Sequence, residues 1–293
     1  MPTAAEAGAP ALVLRPATPV LNRGPGVLQV GLDPPRACVP DDPSVRRLLD
    51  ALARPAGHPA DAPLTAPAST ALARLHEAGL VLPAPRHPHA PGLRPLLAQF
   101  GPDAPRRHAA RAAVRVHVRT APGSVLAATL AALLAEAGLA VTDDPGHPGA
   151  VHVVVHPGPL PRETLDPLVR ASVPHLLVAG DATGLRVGPF VEPGRTACLR
   201  CVDAHESVPD QRRALLLAQA AAQATAHPAP RDPLLDRLAL AWTVRDLVRW
   251  ADRDEPTTWS ATVDLGPHGA PERTVWGRHP YCGCSWDAFL ELP

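Results

Sequence analysis

Apolar residues follow two rhythms along this chain, and the rhythm changes near residue 112. In the first part, short apolar stretches stand at Ala11–Leu14, Val27–Val30 and Ala37–Val39. Arg23-Gly24-Pro25-Gly26 and Asp33-Pro34-Pro35 separate them, and Gly and Pro at such breaks favour tight turns, so three short strands are predicted. Val45, Leu48, Leu49 and Leu52 are spaced three and four apart, which predicts a helix with Ser44 as its cap. A second helix is predicted over about residues 68–78, with Leu72 and Leu75 inward and Gly79 as its stop. Leu80-Val81-Leu82 returns as a strand. Small strands and helices in this order predict a winged-helix-like module over residues 10–83, behind a low-complexity tail at 1–9 expected to be disordered.

Residues 84–111 are rich in Pro, Arg and His and are expected to form a linker, within which Leu93, Leu96, Leu97 and Phe100 allow a helical turn or two. His87, His89 and His108 lie irregularly between prolines, a spacing that suits a solvated segment better than a metal site.

Beyond residue 112 the pattern is α/β. Val114–Val118 alternates as a strand, and Ser124–Ala137 is a nearly all-apolar helix closed by Gly138. Leu139–Val141, Val151–Val155 and His175–Val178 read as strands, with Thr164–Ala171 a short helix between the last two; the continuous apolar runs suit strands buried on both faces. Leu185–Val187 leads through Gly188-Pro189 to Phe190-Val191. Helices are predicted over 213–226 and 234–250, followed by a strand over 259–263. Strands alternating with crossover helices predict a Rossmann-like, doubly wound, mostly parallel sheet over residues 112–293. On the 234–250 helix, Leu234, Leu238, Ala241 and Val248 form one stripe and Leu240, Val244 and Leu247 another, a width that predicts burial in the core or at a homodimer interface.

Composition narrows the function. Formal net charge is zero and aromatic content is 3%, which argues against a nucleic-acid surface. No apolar run approaches the roughly 20 residues that span a bilayer, and no secretory leader begins the chain, so a soluble cytoplasmic protein is expected. The chain contains no lysine and no isoleucine. A mechanism that needs a lysine ammonium on a nucleotide phosphate therefore has no residue to run it.

The most specific chemistry is a split set of cysteines: Cys198 and Cys201 in a Cys-x-x-Cys knuckle, and Cys282 and Cys284 in a terminal Cys-Gly-Cys. Four thiolates in two pairs suit a closed tetrahedral Zn2+ site, which is structural because no position stays open for substrate. Two disulfides or unrelated buried thiols are the alternative. Against it stands a single further cysteine, Cys38, expected to be a small buried hydrophobe. Arg195, Arg200 and Arg278 are positioned in sequence to offset the tetrathiolate charge. Asp203, His205 and Glu206 after the knuckle are expected to cap the following helix and to hydrogen-bond around the site.

The run from Val187 to Cys201, Val-Gly-Pro-Phe-Val-Glu-Pro-Gly-Arg-Thr-Ala-Cys-Leu-Arg-Cys, resembles the adenylyltransferase superfamily of ThiF, MoeB and the ubiquitin-activating enzymes. It is closest to the actinobacterial branch associated with azoline-forming cyclodehydratases of ribosomal peptide natural products, whose members often carry this segment together with a terminal Cys-Gly-Cys. In that branch the N-terminal winged-helix module clamps a leader peptide, and Gln29–Arg36 looks like its second strand and turn. The resemblance implies a peptide groove between the third strand, Ala37, Cys38 and Val39, and the helix bearing Leu72, Leu75 and His76.

Catalytic members of the superfamily carry a glycine-rich turn after the first strand, where the backbone approaches nucleotide phosphates. Here the turn runs from Arg119 through Pro122, Gly123 and Ser124 to Ala127, and Pro122, Ser124 and Ala127 replace the three glycines. Pro122 lacks an N–H and Ala127 adds a methyl at a close-packed contact. His156-Pro157-Gly158 stands where the family places its nucleotide- and magnesium-binding aspartate. The resemblance with these losses implies a non-catalytic protein without ATP, binding a precursor leader peptide for a partner cyclodehydratase of the YcaO type. The rival reading is an ATP-dependent adenylyltransferase acting on a peptide or carrier-protein C-terminus, with Arg119 and Ser124 as its phosphate contacts.

Overall fold

Pro43 opens a helix at no loss, because the first helical N–H has no partner in any case, and Asp42 ahead of it caps the next one, its Oδ1 accepting from the Ser44 amide at 2.7 Å. Asp42, not Ser44, is thus the cap. In the computed structural model, which describes residues 10–85, 87, 90, 92–121, 124–227, 229–280 and 282–284, the chain divides into two units, Met1–Ala109 and Ala110–Pro293. The expected tail at 1–9, His89, Pro122 and Gly123 lie outside the described residues.

The first unit runs β1 (Leu12–Leu14), β2 (Val20–Gly24), β3 (Val27–Val30), β4 (Ala37–Pro40), α1 (Pro43–Ala53), α2 (Ala66–Glu77), β5 (Val81–Pro83) and α3 (Leu93–Phe100). β2, β3 and β4 form an antiparallel sheet in that order, whereas β1 pairs antiparallel with β5 in a sheet of its own. β2 escapes the sequence reading because Asn22, Arg23 and Gly24 carry turn chemistry and only pairing with β3 extends them. The core joins Leu28, Val30 and Val39 of the sheet to Val45, Leu48, Leu49 and Leu52 of α1 and to Ala71 and Leu75 of α2. Gly79 closes α2 at φ 67°, and Leu80 N–H returns to the Leu75 carbonyl at 2.9 Å, a turn that a side chain would strain.

The expected linker is largely helical. Leu93, Leu96 and Leu97 of α3 are buried in a cluster with Leu82 and Ala104. α4 (Ala104–Ala113) follows, its start held by Asp103 paired to Arg106 and Arg107, with the Arg107 guanidinium 4.2 Å from the centre of the Phe100 ring. Pro95, Pro102 and Pro105, which suggest a solvated segment, stand in the first turns of helices instead.

The second unit continues β6 (Arg115–Arg119), α5 (Val125–Glu136), β7 (Ala140–Val141), β8 (Ala150–Pro157), α6 (Asp166–Arg170), β9 (His175–Asp181), β10 (Gly184–Val191), α7 (Leu199–Glu206), α8 (Arg213–Ala226), α9 (Pro233–Ala251), β11 (Ala261–Leu265) and β12 (Glu272–Val275). One seven-stranded sheet results, in the order β12-β11-β10-β9-β8-β6-β7. It is mixed, not mostly parallel: β7, β6, β8 and β9 run parallel, while β9 through β12 pair antiparallel. The cause is the Ala182-Thr183 turn, where Asp181 Oδ1 accepts from the Thr183 amide at 2.8 Å and makes a hairpin in place of a crossover. β12 is an exposed edge strand whose charged Glu272 and Arg273 mask its type.

Alternate side chains of β8 enter two cores, as strand geometry requires. Val151, Val153 and Val155 meet α5 and α9, while Val154 meets Leu168 of α6 and Leu199 of α7 on the opposite face. Helices therefore cover both faces, although the connection from 142 to 149 carries none. Leu240, Val244 and Leu247 of α9 are buried, whereas the second stripe is open, with Leu234 at 75% and Leu238 at 45% exposure. Asp246 is fully buried and accepts from the amides of Thr257 and Thr258, both at 2.8 Å, tying the chain after α9 back to that helix. No described helix is long and apolar enough to cross a membrane.

Candidate metal centre and peptide edge

β10 carries the knuckle to its place. At Gly188 (φ 100°) an added Cβ would come 2.5 Å from the Ala261 carbonyl, so glycine is required where β10 shifts register against β9. Beyond β10 the chain turns at Glu192–Thr196, where Thr196 Oγ1 accepts from the Glu192 amide at 2.8 Å. Ala197 N–H then donates to Ser260 Oγ at 2.9 Å, and Cys198 forms the N-cap of α7. The second limb is pinned to the same place. Trp276 N–H meets the Ser260 carbonyl at 2.8 Å, and its Nε1 donates to Thr262 at 3.0 Å. Ser260, Thr196 and Trp276 thus bring two cysteine pairs together across some eighty residues of sequence, a role with no local signature.

The four sulfurs of Cys198, Cys201, Cys282 and Cys284 all lie within 4.8 Å of one another. Individual separations are 3.8 Å for Cys198–Cys201, 3.6 Å for Cys198–Cys282 and 3.3 Å for Cys201–Cys284. Tetrahedral coordination at a Zn–S distance of about 2.3 Å gives sulfurs about 3.8 Å apart, so the set fits one ion. Among the described residues it is the one group of this kind. Its electrostatics make the same demand. The neighbouring sulfurs of Cys201 and Cys284, followed by burial, push the Cys198 thiol far up. Cys198 pulls the Cys201 thiol down, but Cys284 and burial outweigh it and leave Cys201 at about 11. Four thiolates this close need a cation among them.

Of the three arginines expected to offset that charge, two adjoin the centre. Arg200 lies beside Cys198 and Cys282 while holding Asp166 in a bidentate pair at 2.8 and 2.9 Å. Arg278 donates to the Cys284 carbonyl at 2.9 Å. Arg195 is instead paired with Glu192 at 2.9 Å and faces the Trp259 ring. Asp203, His205 and Glu206 lie on α7 but do not cap it. Asp203 pairs with Arg162, Glu206 with Arg186 and Arg213, and the His205 ring meets the Gly277 carbonyl.

A cavity of about 230 Å3 borders the cysteines and is lined also by His175, Leu165 and Arg162. His175 Nδ1 donates to the Val173 carbonyl at 2.9 Å, and burial lowers its pKa to about 4.

The degenerate turn lies at the carboxyl end of β6, where β7 and β8 flank β6 on opposite sides. Open α/β sheets bind ligands at such a reversal of strand order. Here Ser124 Oγ accepts from the Leu126 amide at 3.3 Å and is committed to capping α5. Arg119 and Ala127 are half-buried on β6 and in the first turn of α5. At the end of β8, a Cβ on Gly158 would come 2.7 Å from Ala224 Cβ, so α8 packs directly against this glycine.

In the first unit, β4 pairs only with β3 and leaves its other edge open beside α2. The Asp41 amide bonds back toward β3, to the Gly26 carbonyl, so the main-chain groups of Cys38, three bonds of alternation earlier, face the open edge. Arg74 of α2 reaches the Cys38 carbonyl there at 3.5 Å. Cys38 is exposed, not a buried hydrophobe. His76 is exposed as well, Ala37 and Leu72 are half-buried, and Val39 and Leu75 turn into the core. The last two therefore support the edge without offering side chains to it.

A mixed α/β sheet covered on both faces and a gathered cysteine quartet define an α/β fold with a candidate metal centre, and that fold is shared with other proteins. Solved structures carry that likeness at the level of fold. A heterocyclase in complex with substrate and cofactor matches 95% of this chain at a TM-score of 0.69 and 18% identity, and the heterocyclase TruD matches 95% at 0.67 and 20%. The chain spans only 40% and 43% of those two chains. MccB of E. coli matches 94% of this chain and 96% of its own length, with a TM-score of 0.55 and 12% identity. MccB in complex with N-formylated MccA reaches 0.59 at 14% identity. No protein-family model and no curated protein matches the sequence.

Proposed function

We propose that this chain is a non-catalytic leader-peptide-binding protein of ribosomal peptide natural product biosynthesis. Its winged-helix-like N-terminal unit presents the precursor to a separate cyclodehydratase of the YcaO type. The observation that carries the reading is the open edge of β4 beside α2, where the Cys38 main chain turns outward and its carbonyl is met only by the exposed Arg74 side chain at 3.5 Å, a long contact that an added strand can displace. Strand addition supplies affinity through main-chain hydrogen bonds, and the flanking helix supplies selectivity. Solved relatives in fold support the peptide class, since they include a heterocyclase with its substrate and MccB with MccA. The cysteine quartet holds Zn2+ as a structural staple in the second unit. Neither Arg119 nor Ser124 offers a nucleotide site, because Ser124 caps α5 and no glycine-rich turn admits the phosphates.

The test is titration of the protein into a fluorescent leader peptide from a neighbouring precursor gene, with and without Mg-ATP. Saturable binding that ignores ATP is expected. No binding at micromolar concentration, or binding only with Mg-ATP accompanied by pyrophosphate exchange, would overturn the reading in favour of an adenylyltransferase.

A further inference from the structure

A second surface of the N-terminal unit has the chemistry of a peptide groove. A hollow of about 850 Å3 opens between the end of β1, the C-terminus of α1 and α3, and none of its lining comes from β4 or α2. Its size lies within the range of ligand sites, and Leu14, Leu52 and Leu97 give it apolar walls.

Both sides of the hollow are fixed in place. Arg15 donates to the Ala98 carbonyl at 2.9 and 3.1 Å and to the Gln99 carbonyl at 2.8 Å, clamping β1 to the end of α3. Leu12 and His58 exchange two main-chain bonds of 2.7 Å, which hold the segment after α1 against β1. A preformed groove spends little ordering free energy on binding.

Charge then selects the occupant. Arg54 and Arg94 are exposed at the hollow, and neither has an acidic partner among the described residues. Arg36, Arg47 and Arg74 of the same unit are exposed without a salt bridge among the described residues too, but among such arginines only Arg54 and Arg94 line the hollow. Arg94 also stands in the first turn of α3, where the helix dipole opposes a cation, so nothing local explains its charge. Pro16, Pro19 and Pro55 in the lining lack amide hydrogens and weaken any strand-addition mode. Apolar burial plus a carboxylate on guanidinium remains.

We infer that this hollow docks a second segment of the same precursor peptide, short and amphipathic, bearing acidic residues beside apolar ones. The inference rests on the leader-binding reading and extends it from one contact to two.

The experiment is fluorescence anisotropy on the full chain with labelled precursor peptide, comparing wild type with the double variant Arg54→Glu/Arg94→Glu. Two exposed charges reversed should weaken binding about tenfold and flatten its salt dependence, with the melting temperature unchanged. A peptide whose acidic residues are replaced by lysine should recover affinity for the double variant and lose it for wild type. Wild-type affinity in the double variant, with binding still lost on blocking the β4 edge, would overturn the groove and leave the leader-binding reading standing. Absence of peptide binding to wild type would remove both. A concentration-dependent dimer abolished by the double variant would assign the hollow to a second copy of this chain and overturn the peptide.

Discussion

Two places in the second unit sit at the ends of strands, and they differ in what they bring together. At the end of β10, four cysteines from distant parts of the chain gather within 4.8 Å. At the end of β6, the turn that would cradle phosphates has Pro122 and Ala127 among its residues, and its serine is spent on a helix cap. The contrast teaches that the two strand ends ask different things of the sequence. A metal staple depends on four side chains and tolerates change around them, whereas a phosphate cradle depends on bare backbone that a single proline or methyl removes.

The largest effect belongs to the staple. Cys282→Ser should lose its one equivalent of metal and unfold or aggregate the second unit, because apparent structural zinc affinities are worth about 10 kcal/mol or more. Retention of metal by elemental analysis together with an unchanged melting temperature would refute the assignment.

Next comes His175, which lines the cavity beside the cysteines. Its folded pKa of about 4 lies below the unfolded value of about 6.5. Above pH 6.5 both states are neutral and the residue contributes nothing to pH dependence. As pH falls toward 4, the unfolded chain takes up the proton and the fold does not, so stability drops by up to about 3 kcal/mol. His175→Asn keeps a donor for the Val173 carbonyl and should remove part of that acid loss. Urea midpoints at pH 7 and pH 4.5 measure it, and equal acid losses in the two proteins would contradict the buried neutral imidazole.

A smaller effect is expected at the β4 edge. Cys38→Pro deletes one outward N–H without touching the β3 ladder, as Pro40 already does on the same side of the strand. Leader affinity should fall about tenfold, the value of roughly one hydrogen bond, with the melting temperature kept. Unchanged affinity would move the peptide elsewhere.

The smallest belongs to the turn itself. Ala127→Gly restores one glycine, yet calorimetry should detect no Mg-ATP binding and only about 1 kcal/mol of destabilisation from glycine in a helix. Heat of nucleotide binding in wild type or variant would reverse the contrast.

Much of this was legible from residues alone. The helix over 213–226 and the strands around Val151 and His175 follow from unbroken apolar runs with clear stops. The cysteine spacing predicts the quartet because metal ligands must be specific residue types. β2 and β12 were illegible, since each is an exposed strand carrying polar side chains and defined only by its neighbour. Leu93, Leu96, Leu97 and Phe100 betrayed α3 inside the expected linker, whereas α4, with few large apolar residues, hid behind its composition.

The local features follow from the residues alone: turn chemistry, the periodicity of buried stripes and the four thiols. Tertiary structure alone decided which stripe of α9 is buried, that the sheet turns antiparallel beyond β9, that Ser260 and Trp276 join the cysteine limbs, and that Cys38 lies on an open edge. Those outcomes depend on which surfaces meet, and burial energy is a property of the pair in contact, not of either residue's place in the chain.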